Sequence, residues 1–576
     1  MNRFIYILSV ILLFLCPGLQ AETMVYLVHS ETLSFDEELY PEAQLLKGDV
    51  IFRHDSALMY CDSALFYEKN NSLDAFGNVR LVQGDTLEGF SDVLFYDGNT
   101  KFARMRKNVK LIHTGTTLTT DSLNYDRLND LAWYFSGGKI VDSLNTLTSV
   151  WGQYTPSTRQ TVFKTDVLLV NDRFVLTADT LKYNTASNIA DLVGPTKIIY
   201  EEETTILSTL GWYNTRTEES MLLNRSEVIH EDGRSLTGDT IFYDKHFGKG
   251  DVVGHMCLID SVQQGTLYGN LGKFFETDKY GFATDSALYV DWSEEDRTYV
   301  HADTLYSEEI PYQLTLLQPL DSIMVDSVLT WQPPDTLLQD TSYRQIRAFY
   351  HVRIYRSDMQ AICDSLVTNN RDSVMIMNGK PVIWSDNQQI SAELVNVYLK
   401  NGTVDYVHGI GSAIASQQDA ETWFNQLSGK ELLAYIREGE MRQIDVNGNA
   451  ETVFYPHEDD GKGPVVGVNK TQSSYVKMYL QNQKVDHIVF TSATTGAMYP
   501  LDKISESQTR LGSFFWAEDE RPKNKDDVFR HPQSTQRPEQ VALSAKDTTA
   551  EENTDSEKED SSDSKRNSRG RKRAGR

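Results

Sequence analysis

The chain is short of cations, of cysteine and of long apolar runs, and each shortage removes a class of protein. Its 55 Lys and Arg face 82 Asp and Glu, for a formal charge of −27. That excludes nucleic-acid binding as a main activity, because it needs a basic face to displace counterions from phosphates. Four cysteines in 576 residues cannot make a disulfide scaffold. Beyond the N-terminus no segment approaches the ~20 apolar residues of a membrane helix. Helix-borne catalytic signatures are missing too: there is no His-Glu-x-x-His, no Gly-x-Ser-x-Gly, no Walker loop and no Cys-x-x-Cys. Gly248-Lys-Gly250-Asp-Val-Val-Gly254 looks superficially like a dinucleotide loop, but its last glycine is one position late and no helix follows. His230-Glu-Asp-Gly233 and His457-Glu-Asp-Asp-Gly461 read as surface turns rather than cation sites. No catalytic residue, no cofactor and no metal site is expected.

What the chain has is 29 Tyr, 24 Phe and a phrase that repeats. The phrase reads Asp92-Val-Leu-Phe-Tyr96-Asp97 and Asp121-Ser-Leu-Asn-Tyr125-Asp126. It returns as Asp179-Thr-Leu-Lys-Tyr183-Asn184 and Asp239-Thr-Ile-Phe-Tyr243-Asp244. The aspartates lie 29, 58 and 60 residues apart, close to one, two and two repeats. Weaker copies, Trp151-Gly-Gln-Tyr154 and Gly211-Trp212-Tyr213-Asn214, fill the doubled intervals. A fixed period of this size signals an array whose units bury their apolar faces by stacking on neighbours. Alternation at period two within each phrase argues for strands. A second phrase, Phe76-Gly77-Asn78-Val79-Arg80-Leu81, with a looser copy at Lys107-Asn108-Val109-Lys110-Leu111, reads as the opening of the next strand. The repeated acid, beside a hydroxyl, is expected to cap a turn locally at a strand entrance.

The ends and breaks set the organisation. Residues 1–21 read as a secretory signal peptide, with Arg3, an apolar stretch over 4–15 and a small-residue site at Ala21. That directs the mature chain to the periplasm, where it is expected to be soluble, with an association with the outer membrane left open. Of the remaining cysteines, Cys61 and Cys363 both precede Asp-Ser and are expected to be small buried hydrophobes at equivalent positions. A first array is expected over 24–308, a proline-rich linker over 309–343 and a second array over 344–516. The charged stretch 517–576, ending in a basic segment at 565–576, is expected to be a disordered tail that adds nothing to the fold.

The alternation of Ala/Gly-x-Gly-Asn-Val-x-Leu with Leu-x-Ala/Gly-Asp-x-Leu-x-Tyr-Asp resembles the OstA/LptA family of lipopolysaccharide-transport proteins, in the long form of Bacteroidetes OstA-like proteins. It is carried by Asp74-Ala-Phe-Gly77-Asn78-Val79-Arg-Leu81, Leu118-Thr-Thr-Asp121-Ser-Leu-Asn-Tyr125-Asp126 and their copies ending at Tyr183 and Asp244. The resemblance implies an all-β fold: repeated antiparallel strands in an elongated, slightly open β-jelly-roll, here as two arrays. It implies a non-catalytic protein that bridges inner and outer membranes and shields the acyl chains of lipid A, or of a related glycolipid, in an apolar groove. Its partners would be an inner-membrane anchor and an outer-membrane translocon, met by edge-strand pairing, with head-to-tail self-association as a further contact. Strand parity and repeat position make Leu94, Tyr96, Leu123, Tyr125, Leu181, Tyr183, Ile241 and Tyr243 the expected groove wall. A structural or adhesive β-solenoid without lipid, or a carbohydrate-binding or hydrolytic β-helix, are the competing readings.

Overall fold

The computed structural model describes residues 24–530, apart from 318–323, 326–327, 330–335, 421, 459–462, 483 and 506–507. The expected signal peptide and the tail from 531 onward lie outside the described residues. Period-two patterning does what the sequence asks of it. Strands follow one another from Tyr26–His29 to Thr495–Tyr499, and no α-helix occurs among the described residues. Antiparallel pairing joins them into one 34-stranded sheet.

The long strands are bent in their middle, and the two phrases mark the bend. Gly77 and Asn78 have φ of 76° and 42°, and Lys107 and Asn108 have 63° and 48°. Similar left-handed pairs stand at Thr165/Asp166, Asn224/Arg225 and Tyr350/His351. Each pair interrupts the ladder, as where pairing jumps from Arg106↔Ser122 to Val109↔Thr120. Two residues opposing one make a bulge, and a bulge bends the strand and increases its twist. The phrase aspartate is the single residue opposite the pair. Asp62, Asp92 and Asp239 accept hydrogen bonds at or near the corner, from Asn78 Nδ2 at 2.9 Å, from Asn108 Nδ2 at 2.7 Å and from the His255 ring at 2.6 Å. Both phrases therefore sit at mid-strand corners and not at strand entrances or openings. The acid is the local hydrogen-bonding group that was expected, one half-strand away from its expected place.

The corner also shifts the burial phase by one residue. In the strand Leu87–Asp97, Leu87, Gly89 and Ser91 are buried, Asp92 is exposed, and Leu94 and Tyr96 are buried. A one-residue slip in a flat strand would turn the second apolar set to solvent. Here the bend compensates, and both halves face one interior. The sheet thus makes two arms that pack on each other, one built from halves such as 57–61 and 79–83, the other from halves such as 63–67 and 72–76. A single apolar cluster runs between them from Val25 to Leu480. At ~1.5–3 kcal/mol for each fully buried large apolar side chain, this continuous core is the main stabilising term.

Three boundaries differ from the expected organisation. The segment 309–343 is not a linker over its paired length, because Thr298–Leu317 and Thr336–Tyr355 form one long hairpin with Glu309↔Arg344 through Leu317↔Thr336 in register. The single proline on the expected linker's paired part, Pro311, is tolerated there in the ladder opposite Ser342. The ladder therefore continues from the expected first array into the second without a break. Finally, 517–530 is packed structure. After Tyr499 the chain runs back over the outer face of one arm as a belt. Leu511, Phe514 and Trp516 pack on Phe424, Val453 and Val468, and Ala517 packs with Trp384. Val528 is fully buried and Phe529 meets the His301 ring. Charge-rich composition hid this anchor, because a few apolar residues per turn suffice when a sheet face is waiting for them.

Candidate functional site

The hairpin ends of the two arms face each other as two lips of a long mouth, and the phrase tyrosines stand at the lip. Tyr96 Oη, on one arm, meets His54 Nδ1 on the other at 2.6 Å and accepts a bond from Arg127. Tyr125 donates to Gln83 at 3.2 Å, and Tyr154 meets His113 at 2.5 Å. Asn145 donates to Tyr183 at 3.1 Å. Apart from the Arg127 bond, which stays on one arm, each of these bonds joins one lip to the other, so the repeated tyrosine acts as a latch. Burial raises the Tyr183 hydroxyl to about 12 and also raises that of Tyr96, which keeps these groups neutral donors and acceptors. Next along, Tyr200 donates to Glu218 at 3.3 Å, and Arg173 forms an ion pair with the same carboxylate.

The latching then stops. Tyr213 Oη is buried and has no hydrogen-bond partner. Tyr243 turns to Glu276 on its own arm, where Lys245 joins them. Burial alone would raise the Glu276 carboxyl, but the bonds from Tyr243 and Lys245 outweigh it and hold it below its usual range. Lys245 reaches over the Tyr200 ring at 5.3 Å. From there to Asp260, no hydrogen bond or ion pair among the described residues joins the lips. Latching resumes with an Arg344–Asp260 ion pair and an Asn370–Gln263 hydrogen bond of 2.9 Å.

Behind the unlatched stretch lies a cavity of about 350 Å³. Val228, Leu236, Leu258, Leu267 and Phe274 supply its apolar wall, and Arg234, Asp260, Glu276 and Lys279 stand at its rim. Small residues at inward positions make the space. Gly281 lines it, and a Cβ there would meet nothing closer than 3.5 Å. Gly265 lies against the Tyr289 ring, where a Cβ would come within 2.4 Å of the hydroxyl. The rim cations are already paired, Arg234 with Asp232 and Lys279 with Glu309. Asp232 is thus held in the turn at His230-Glu-Asp-Gly233. Gly250 to Gly254, in the other glycine-rich stretch, run within the strand Lys249–Asp260 up to its corner.

The eight expected wall residues do share the interior. Leu94, Leu123, Leu181 and Ile241 are 0 % exposed, and Tyr96, Tyr125 and Tyr183 are 5 % or less. They are brought together as packed core and latches, while Tyr243 alone of the eight lines the cavity. The cavity wall itself was missed. The signal for it was glycine at inward positions of strands, at 265 and at 281, the latter following Gly250 at the equivalent place of the repeat before it. Cys61 and Cys363 are buried and free at equivalent corners, and burial pushes the Cys61 thiol up to about 12.

A long antiparallel sheet folded on itself along a line of corners, with its mouth open over an apolar cavity, defines a β-jelly-roll. Residues 22–179 and 167–239 match the family model for OstA-like protein, so this part of the chain is OstA-like, as its phrases indicated. The two matches overlap and end at 239, within the cavity region. No curated protein matches the chain.

Proposed function

We propose that the protein is a non-catalytic carrier that holds an acyl-bearing lipid, lipopolysaccharide or a related glycolipid, between its two arms. The observation that carries this reading is the apolar cavity behind the unlatched mouth. Each CH₂ moved from water into it would contribute ~0.8 kcal/mol. The OstA-like match supplies the lipid-transport context. In this reading the chain works in the periplasm as a bridge between an inner-membrane anchor and an outer-membrane translocon. The sheet ends support the pairing this needs. One end is formed by Tyr26–His29 and Thr32–Phe35, laid along Gln44–His54, and the other by Lys484–Thr491 and Thr495–Tyr499, laid along Val468–Gln481. All four are largely exposed, with Tyr26, Phe35 and Met498 facing solvent. Edges of this kind are templates for strand addition by another chain, including a second copy. The closed core of the first repeats favours a scaffold role for that stretch, which keeps a spacer without cargo there as the second reading.

Lipid extraction and mass analysis of the protein purified gently from its own envelope tests the carrier. A co-purifying acyl lipid, lost from a variant with Gly281→Leu, is the expected outcome. Absence of any acyl lipid from repeated gentle preparations would reduce the protein to a scaffold.

A further inference from the structure

The latches make the interior discontinuous, and that has a consequence for how cargo moves. On one side of the cavity the lips are held by Tyr200 and Arg173 on Glu218, and beyond them by Asn145–Tyr183, His113–Tyr154, Gln83–Tyr125 and His54–Tyr96. Behind those latches the interior is filled by Leu94, Met105, Leu123 and Leu181, each 0 % exposed. On the other side Asp260–Arg344 and Gln263–Asn370 close the lips again. A chain of methylenes sliding lengthwise would have to break one buried latch and displace one packed layer per repeat. Entering sideways between Glu218 and Asp260 breaks none of them.

We propose that this stretch is a lateral port, and that the Arg173–Glu218 and Arg344–Asp260 ion pairs are the gates that set how far it opens. The proposal rests on the lipid-carrier reading and adds the route. A cavity of about 350 Å³ is at the small end of ligand sites, which run from roughly 300 to 1,000 Å³. It accommodates one hydrocarbon chain as it stands. Cargo with several chains must part the lips further, and the nearest ion pairs that resist parting are the two gates, the first of them reinforced by Tyr200 on Glu218 and by Lys245 over the Tyr200 ring. Arg344 and Asp260 are buried to within 13 % and 15 % exposure, so their pairing is little screened by solvent. The unpartnered hydroxyl of Tyr213 and the inward turn of Tyr243 towards Glu276 mark the repeats that gave up the cross-lip bond.

The test uses the full mature chain and dansyl-undecanoic acid, whose emission shifts to the blue in an apolar site. Wild type is expected to bind it, and Gly281→Leu, which fills the cavity without a backbone clash, to weaken binding roughly tenfold, equivalent to about two CH₂ groups denied burial. Asp260→Ala combined with Arg344→Met removes both charges of one gate together, so neither is left buried alone. This double variant is expected to raise the association rate several-fold, while the remote latch variant His113→Leu leaves it unchanged. If the double variant does not fold, Gln263→Leu with Asn370→Leu opens the same lip without touching a charge. A rate unmoved by gate variants, or raised equally by His113→Leu, would overturn the port while leaving the carrier standing. Wild-type affinity in Gly281→Leu would place the lipid elsewhere and also overturn it. No binding by wild type would remove the carrier reading itself.

Discussion

Asn108 donates its side-chain amide to Asp92 across 2.7 Å, and that bond ties a left-handed residue to the acid opposite it at a strand corner. The same pairing recurs between Asn78 and Asp62 and, with histidine as the partner, between His351 and Asp303. An exposed hydrogen bond contributes little by itself, about 0.5–1.5 kcal/mol. Its repetition has a larger effect, because the long strands must bend at one level for the two arms to meet. The acid in the phrase is there to hold backbone shape.

The corner backbone should be less tolerant of substitution than the side chains that decorate it. Gly77 has φ of 76°, and a Cβ there would fall 2.4 Å from Asp62 Oδ2. Gly84 has φ of 61° with nothing within 4 Å of a Cβ. Gly77→Val should therefore lower stability by about 1–3 kcal/mol, through strain and a displaced Asp62. Gly84→Ala should cost ~1 kcal/mol or less, from backbone conformation alone. Urea unfolding of both variants checks the order, and equal losses would show that the corner contact with Asp62 carries no weight.

The belt should be worth more than its composition implies. Gln389 donates to the Phe515 carbonyl at 2.9 Å and accepts from Ala517 N–H at 2.9 Å. Gln426 holds Thr509 and Leu511 in the same way, at 2.9 and 2.8 Å. Both glutamines are 1 % exposed. Removing 509–530 along with the tail would lose these four hydrogen bonds, at about 0.5–1.5 kcal/mol net each, and uncover Trp384. Truncation after 530 should leave the melting temperature unchanged, and truncation after 508 should lower it by several degrees. Identical melting for the two would mean that the belt detaches without consequence.

How much of this was legible is a matter of range. Strand identity, the repeat and the inward parity of Leu94, Tyr96, Leu123 and Tyr125 are properties of a few adjacent residues, and period-two reasoning reaches them. The mid-strand place of Asp92 was not reached, because a left-handed pair such as Lys107 and Asn108 inside a strand looks locally like a turn between strands. The paired part of 309–343 was hidden by proline, because only pairing reveals that Pro311 takes a ladder position opposite Ser342. The belt and the cavity depend on partners far apart in sequence: Gln389 with Ala517, and Gly281 with Leu258. The tyrosines were read as wall because parity fixes which way a side chain points, but not whether a histidine or glutamine across the mouth will meet its hydroxyl.

The His113–Tyr154 latch should make stability depend on pH. Burial, with Arg159 nearby, lowers the His113 pKa from 6.5, against a smaller opposing pull from Asp130. A folded-state pKa below the unfolded one means that the unfolded chain binds the proton more tightly. The group's contribution is then complete above pH 6.5 and is lost as pH falls through 6.5 towards the folded value. Wild type should lose stability over this window, before most carboxylates titrate below about pH 5. His113→Leu should show a flatter dependence between pH 6.5 and about 5. Parallel curves for the two proteins would mean that this histidine is no more buried than an unfolded one.

A photo-crosslinking side chain can separate the packed interior from the cavity within one strand parity. Leu236 and Leu267 face the cavity, and Leu123 and Leu181 face the same interior where it is filled. All four are inward and buried, so parity alone predicts equal labelling. The cavity predicts capture of acyl lipid at 236 and 267 in intact envelopes and none at 123 and 181. The positions must also tolerate the bulky probe. At 236 and 267 the cavity has room, whereas at 123 and 181 overpacking is expected to cost about 1–3 kcal/mol. Tyr125, whose hydroxyl lies at the lip, is therefore the better negative position, since an aromatic probe replaces an aromatic ring and loses only the bond to Gln83. Labelling at 125 as strong as at 236 would show that lipid passes the latched repeats, and the interior would then have to open along its whole length during transport.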